Sequence, residues 1–284
     1  MTGCILIVAS TPLPGAFGEL LARRLLYSVS RLVVLSGVKG VVLCGGKGKR
    51  LRPLTFYFQK TMIPIGTRQK PLLEYVVRLL KYHGIEDILL LVDYKAEQIE
   101  NYFDDGSRFG VRIKCVRDDP QFPGNAGAVY NAYVKGLIDG DETLLIYYGD
   151  VISNIDLCEL LRTHRSMNAA ATLALSLKYY VSVGIVEVEG DVVTSVREKP
   201  PLGKPVTIGV LALEASRLGL VKGILDRKGS ADIMGDLIPL LIERGETVAA
   251  YMTGAFWYDI GSTEKYEKLD AREVDEVLGF LFKK

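Results

Sequence analysis

Glycine and positive charge are concentrated together in the segment Val41-Val42-Leu43-Cys44-Gly45-Gly46-Lys47-Gly48-Lys49-Arg50-Leu51-Arg52-Pro53-Leu54-Thr55. An apolar run enters three glycines and leaves through four cations. Glycine lets the backbone come close to an anion and turn its N–H groups towards it. Lys47, Lys49, Arg50 and Arg52 surround that turn, so it could hold a phosphate. The pattern GxxxxGK[ST] is absent, and Leu51 stands where the third glycine of GxGxxG belongs, so neither common phosphate loop is present. A second concentration is Leu144-Leu145-Ile146-Tyr147-Tyr148-Gly149-Asp150, an apolar run ending in an acid. The carboxyl ends of sheet strands are where α/β enzymes place ligands, although an Asp there also serves as a helix cap.

The stretch continues as Phe58-Gln59-Lys60-Thr61-Met62-Ile63-Pro64-Ile65-Gly66 and Lys70-Pro71-Leu72-Leu73-Glu74-Tyr75. Together these segments resemble the signature of the sugar-1-phosphate nucleotidylyltransferases, GGxGxRLxPLT followed by PKxMxPIG and KPLLEY. The resemblance is close over residues 38–75 and runs on more loosely to about residue 268. Gln59 stands where the family usually has proline; it moves no charge, and a small effect on the loop alone is expected. Cys44 replaces the usual alanine, another small residue.

The resemblance implies an enzyme that joins a nucleoside triphosphate to a sugar 1-phosphate and releases pyrophosphate. It makes Arg50 and Lys60 the catalytic cations, a role that suits their chemistry. Arginine's fork contacts phosphate in bidentate fashion, lysine is a compact point charge, and two polyanions must be brought together. It makes Asp150, in a Gly-Asp motif, and Asp259, in Trp257-Tyr258-Asp259-Ile260-Gly261, the ligands of Mg²⁺, which favours sparse hard-oxygen ligation. For Asp259 the alternative is capping of the last helix, which Ser262 or Thr263 could equally do. The nucleotide would be held by Leu43, Gly45, Gly46 and Gly48 and by Gly124, in a segment Pro123-Gly124-Asn125-Ala126-Gly127-Ala128 that resembles the family's GTAxA turn. Asn125 replaces the usual Thr, and both can cap a helix.

Five residues before Gly124, where thymidylyl and uridylyl members carry Gln, stands Asp119, beside Asp118. Guanine offers two adjacent donors, which a carboxylate accepts well, so a guanylyl preference is expected, as in a mannose-1-phosphate guanylyltransferase. A glucose-1-phosphate thymidylyl- or uridylyltransferase is the alternative. Arg197-Glu198-Lys199-Pro200 resembles the family's EKP motif, which places Glu198 and Lys199 at the sugar, with the backbone of Gly184 and Gly209 beside it. Thr207 stands where the family often has Asn. Two further readings stay open: a non-catalytic regulatory subunit of the same fold, and an NAD-linked oxidoreductase suggested by the N-terminal segment.

These groups need a scaffold, and the apolar periodicity supplies one. Strands are expected at 40–44, 86–92, 111–116 and 143–148, with helices at 71–83, 95–104 and 125–137 between them. A helix at 155–167 precedes β-structure at 170–177, 183–188, 191–197 and 206–213, with Gly190-Asp191 as a hairpin turn. Helix at 231–244, strand at 247–252 and helix at 263–282 complete the chain. The fold class expected is α/β: a Rossmann-like, mixed, mostly parallel central sheet flanked by helices, with a partly antiparallel half for the sugar. His83 and His164 fall near helix ends, and no catalytic role is assigned to them.

Residues 1–37 stand apart as an N-terminal extension to a nucleotidyltransferase domain at 38–284. Ile5–Ala9, Phe17–Tyr27 and Leu32–Leu35 suggest a β-α-β unit without a dinucleotide fingerprint. It reads as a decorative extension or as sequence upstream of a misassigned start, and no chemistry is assigned to it. Because the last motif falls close to Lys284, the β-helix domain and second activity of some relatives are not expected. With 35 basic and 34 acidic residues, the net charge of +1 gives no broad surface for nucleic acid or membrane. Four cysteines without a CxxC pair, and no apolar run of about 18 residues, fit a cytoplasmic protein. A homo-oligomer is left open.

Overall fold

The computed structural model describes residues 34–283. The chain divides into two compact units, 1–36 and 37–284. The expected N-terminal β-α-β unit lies outside the described residues, except Val34 and Leu35, which are helical rather than extended. A short apolar run does not by itself distinguish the two.

In the second unit the order is β1 (Val38–Leu43), the two-residue strands β2 (Pro64–Ile65) and β3 (Lys70–Pro71), α1 (Leu72–Tyr82), β4 (Asp87–Val92), α2 (Ala96–Phe103), β5 (Arg112–Arg117), α3 (Asn125–Val134), β6 (Thr143–Tyr148), β7 (Val151–Ser153) and α4 (Leu157–Ser166). There follow β8 (Ala171–Ser176), β9 (Ile185–Glu189), β10 (Val192–Arg197), β11 (Val206–Glu214), α5 (Gly219–Lys228), α6 (Ile238–Glu243), β12 (Val248–Met252), β13 (Trp257–Asp259), α7 (Thr263–Lys268) and α8 (Ala271–Leu278).

A seven-stranded sheet in the order β12-β8-β11-β6-β1-β4-β5 forms the centre. Every pairing in it is parallel except the two made by β11, so the mixed, mostly parallel sheet expected is the one observed. Strands buried on both faces read as continuous apolar runs, and the alternation shows which face each residue serves. Val41, Leu89, Leu91, Leu144 and Ile146 belong to the core cluster that includes Val129 and Ala132 of α3, Val221 and Ile224 of α5 and Leu241 of α6. Val42, Leu90, Leu145 and Tyr147 point the other way and are equally buried. α4 packs on β8, β11 and β12.

From β1 the chain moves through β4 to β5 on one side, and then returns to place β6 on the other. That reversal puts a crevice between the carboxyl ends of β1 and β6, the position where open α/β sheets bind ligands.

Three differences from expectation have physical causes. The helix expected over 231–244 begins as a single π turn, Ile233–Leu237, before α6, because Pro239 has no N–H to continue a regular ladder. The helix expected over 263–282 is two helices and a final 3₁₀ turn, broken where Asp270 caps α8 by accepting from Arg272 N. α5, unexpected, carries Gly219 and Gly223, which weaken its helical signal.

Candidate active site

At the exit of β1 the sheet brings two loops into contact. Cys44 N donates to Leu91 O at 2.8 Å, and Gly149 N donates to Leu43 O at 3.1 Å. A side chain at Gly149 would begin 2.8 Å from Leu43 O and 3.2 Å from Cys44 Sγ, so only glycine permits this approach. Gly48 is left-handed, with φ 56°, and a side chain there would meet Thr55 Cγ2 at 2.8 Å and Lys60 Cβ at 3.2 Å. The stem of Lys60 therefore lies directly over the glycine loop. Arg50 sits in the 3₁₀ turn Lys49–Leu51 that follows.

Gln59 joins the loop to the Lys60 turn. It is fully buried. Its side-chain NH₂ donates to Cys44 O, while its Oε1 accepts from Thr61 N at 2.5 Å and Thr61 Oγ1 at 2.7 Å. Its backbone N–H donates to Gln98 Oε1 at 2.6 Å. The expectation of a small effect on the loop misses this anchoring role.

Lys60 pairs with Asp150. The strands β7 and β13 pair antiparallel with Val151 opposite Asp259, and Ile260 N donates to Asp150 O at 2.9 Å. This short ladder brings the two acids together across more than a hundred residues of chain. Asp259 pairs with Lys265 at 2.6 Å. A side chain at Gly261 would meet Asp259 Oδ2 at 3.0 Å and Arg50 Nη2 at 3.4 Å, so this glycine keeps the space beside both groups open. Thr263 Oγ1 donates to Arg50 O at 3.2 Å, and Ser262 caps α7 by accepting from Lys265 N. Asp259 is thus not the cap of the last helix.

Two cavities open here. One of about 320 Å³ is lined by Leu43, Gly45, Gly46, Lys60, Gly124 and Asp150 among others. The second, of about 370 Å³, is lined by Arg50, Asp150, Gly209, Trp257, Asp259 and Lys265 among others. Tyr148 and Asp150 line both, so Asp150 stands at their junction.

Other residues singled out in the sequence are placed differently. Gly124, with φ 92°, is in contact with the backbone of Ala231, so its lack of a side chain serves the protein's own packing as well as the cavity. Asn125 does not cap α3; it donates to Asp232 Oδ2 at 2.6 Å and accepts from Ile233 N at 2.7 Å, tying the helix to the segment ahead of α6. Asp119 closes its own turn by accepting from Gln121 N at 2.9 Å and does not line the first cavity, whereas Asp118 does. Burial, reinforced by Asp93 and opposed by Lys135, pushes the Asp118 carboxyl up to about 6. Gly209 lines the second cavity, but Gly184, Glu198 and Lys199 line neither. They flank the hairpin β9–β10, where the side chains of Glu198 and Lys199 are 71% and 65% exposed.

Burial holds the Cys44 thiol well above its ordinary value, which leaves no thiolate nucleophile in the cavity. His164 bonds Thr172 Oγ1 at 2.9 Å and Glu214 Oε1 at 2.8 Å, and His83 lies near Cys158 at 3.6 Å; neither lines the cavities. Lys265, Tyr148 and Asp118 are among the cavity groups that sequence reasoning did not select. Lys265 carries no local signal, since its partner is fixed only by where β13 meets β7.

Asp150 and Asp259 fit a divalent cation of the Mg²⁺ type. They offer two hard carboxylates to one cavity, and in this structure each holds the ammonium of a lysine, a stand-in positive charge.

A carboxylate pair and two cations gathered beside the carboxyl ends of β1 and β6 form the charged crevice of an α/β fold. The chain belongs to the nucleotidyl transferase family, whose profile matches residues 39–276. Among its relatives is a UTP–glucose-1-phosphate uridylyltransferase of Synechocystis, 31% identical over 81% of this chain and 61% of that protein. A mannose-1-phosphate guanylyltransferase of Mycobacterium tuberculosis is 32% identical over 81% of this chain and 62% of its own length. The chain therefore spans less than two thirds of these relatives. A Bacillus anthracis protein provisionally assigned as a glucose-1-phosphate thymidylyltransferase shares the fold, with a TM-score of 0.66 at 21% identity, over 84% of this chain and 94% of the other. The relatives use different bases, so kinship alone does not name the nucleotide.

Proposed function

We propose that this protein transfers a nucleotidyl group from a nucleoside triphosphate to a sugar 1-phosphate, giving a nucleoside-diphosphate sugar and pyrophosphate. The observation that carries the proposal is that Asp150 lines two adjoining cavities, with Lys60 in the first and Arg50 and Asp259 in the second. One cavity is assigned to the triphosphate and the other to the sugar phosphate, which meet at Asp150. An oxygen of the sugar phosphate attacks the α-phosphorus in line, and pyrophosphate departs. Lys60 and Arg50 offset the charge of the two approaching anions and of the equatorial oxygens as it builds. Because Gln59 and Thr263 hold the backbones of their loops, these cations are positioned before substrate arrives. Mg²⁺, held by Asp150 and Asp259, would neutralise phosphate charge and orient the α-phosphate.

The Gly209 backbone and the wall of Trp257, on which Tyr179 stacks at 6.4 Å, receive the sugar. All four charged groups are retained and brought together, which speaks against a non-catalytic subunit. The substrates are cytoplasmic metabolites in kind, and among the described residues no helix is long and apolar enough to cross a membrane; we place the reaction in the cytoplasm. The test is pyrophosphate release with Mg²⁺ across a panel of sugar 1-phosphates and nucleoside triphosphates. Release is expected only when both substrates are present. Silence across the whole panel would remove the proposal.

A further inference from the structure

Where the end of α1 meets the start of α4, three groups of different chemistry come together, and none of them lines either cavity of the candidate active site. They are the His83 imidazole, the Asp156 carboxylate and the Cys158 thiol, whose ligand atoms all lie within 4.8 Å of one another. His83 Nδ1 is 3.6 Å from Cys158 Sγ and 3.8 Å from Asp156 Oδ1. Cys158 is 75 residues from His83 in the chain, so no short spacing motif announces the group.

Asp156 caps α4 by accepting from Cys158 N at 2.9 Å and Glu159 N at 3.1 Å. Both bonds use Oδ1, and a carboxylate has a second oxygen to offer. Capping accounts for the aspartate but not for the imidazole and thiol beside it. At 3.8 Å the imidazole is too far from Oδ1 for an N–H···O bond, which spans about 2.7–3.2 Å.

The spacing is instead that of ligands around one ion. With Zn–N of about 2.0–2.1 Å and Zn–S of about 2.3 Å, a tetrahedral angle puts nitrogen and sulfur about 3.5–3.6 Å apart. The observed separation of 3.6 Å matches. The same angle asks for about 3.3–3.5 Å between nitrogen and a carboxylate oxygen. The exposed Asp156 side chain reaches that by a small adjustment.

Oxygen, nitrogen and sulfur together suit a borderline-soft ion such as Zn²⁺ rather than Mg²⁺, which takes oxygen. Thiolate and carboxylate together balance the charge of a divalent ion. The N-terminus of α4 favours both anions, and the neighbouring Arg162 guanidinium is paired with Glu159. His83 and Cys158 are buried, while Asp156 faces solvent, which gives an ion a way in and a water molecule the fourth position. The Tyr82 ring stands edge-on to the imidazole at 5.3 Å and braces its plane. We propose that His83, Asp156 and Cys158 form a Zn²⁺ site that ties the end of α1 to the start of α4. Because β7 and α4 follow Asp150 in the chain, the tie steadies the segment that leads away from the candidate active site. The site is separate from Asp150 and Asp259 and stands apart from the nucleotidyl-transfer reading.

The test titrates the metal-stripped full chain with Co²⁺, whose thiolate charge-transfer band in the near ultraviolet reports sulfur ligation, and then adds Zn²⁺. About one equivalent of Co²⁺ is expected to raise the band to its limit. Zn²⁺ is expected to abolish it and to raise the melting temperature by mass action. Cys158→Ala is expected to lose the band and Cys115→Ala to keep it. Asp156→Asn separates ligation from capping, since Asn caps a helix as well as Asp does. That variant is expected to keep the metal-free melting temperature of the wild type while its affinity for Zn²⁺ falls by at least about ten-fold. Absence of the band in the wild type would overturn the proposal. So would a band that survives Cys158→Ala or disappears equally in Cys115→Ala, or an unchanged Zn²⁺ affinity in Asp156→Asn.

Discussion

Lys60 and Asp150 illustrate how single residues are constrained here, since each faces both a partner and a cavity. Arg50 is exposed and contributes through charge rather than packing. Arg50→Ala is therefore expected to lower kcat by about 10²–10³, the range for losing one positioned electrostatic stabiliser, with little change in melting temperature. Gln59 is the opposite case. Gln59→Leu leaves Cys44 O and Thr61 N without their partner, at about 1–3 kcal/mol, and loosens the Lys60 turn. Chemical denaturation should show that loss of stability, and kinetics should show a fall in kcat larger than the change in KM. Arg50, Lys60, Asp150 and Asp259 stood out in the sequence because they fall in segments that resemble the family's motifs. The choice between Asp118 and Asp119 was not legible there. Neighbouring side chains at a strand end point to opposite sides, and only the observed register says which of them enters the cavity.

At the scale of elements, the site depends on the exits of β1 and β6 touching and on the three-residue ladder between β7 and β13. Gly149→Ala would force a methyl group to 2.8 Å from Leu43 O, a backbone atom that cannot swing away. A loss of about 1–3 kcal/mol is expected, read as a lower denaturant midpoint, with activity falling because Asp150 moves with the loop. The long strands were readable from apolar runs and the long helices from their three-and-four spacing. β7 and β13 were not, because a three-residue strand leaves no periodicity, and their pairing depends on contacts far apart in sequence. The hairpin β9–β10 was anticipated from Gly190-Asp191, yet Glu198 and Lys199 beside it stand clear of the second cavity. A motif gives residue types but not how close an isolated hairpin lies to the sheet.

Across the whole molecule, near-neutral net charge coexists with a dense local arrangement of opposite charges. Asp150 and Asp259 are neutralised by Lys60 and Lys265, so the fold does not rely on a metal ion for charge balance. Removal of divalent cations is expected to abolish pyrophosphate release while leaving the far-ultraviolet dichroism intact, and added Mg²⁺ with nucleotide should raise the melting temperature by mass action. The identity of the sugar is not legible at this scale, since epimers differ only in which hydroxyl meets which polar group.

Under the proposed function, Arg50, Lys60, Asp150 and Asp259 act together on one phosphorus atom where the two cavities adjoin. The most direct measurement compares pyrophosphate release by the wild type with that by Arg50→Ala and Asp259→Asn, under saturating substrates and Mg²⁺. Each variant is predicted to lose at least about a hundred-fold in kcat while keeping the wild-type melting temperature within a few degrees. Undiminished turnover in either variant would contradict the account.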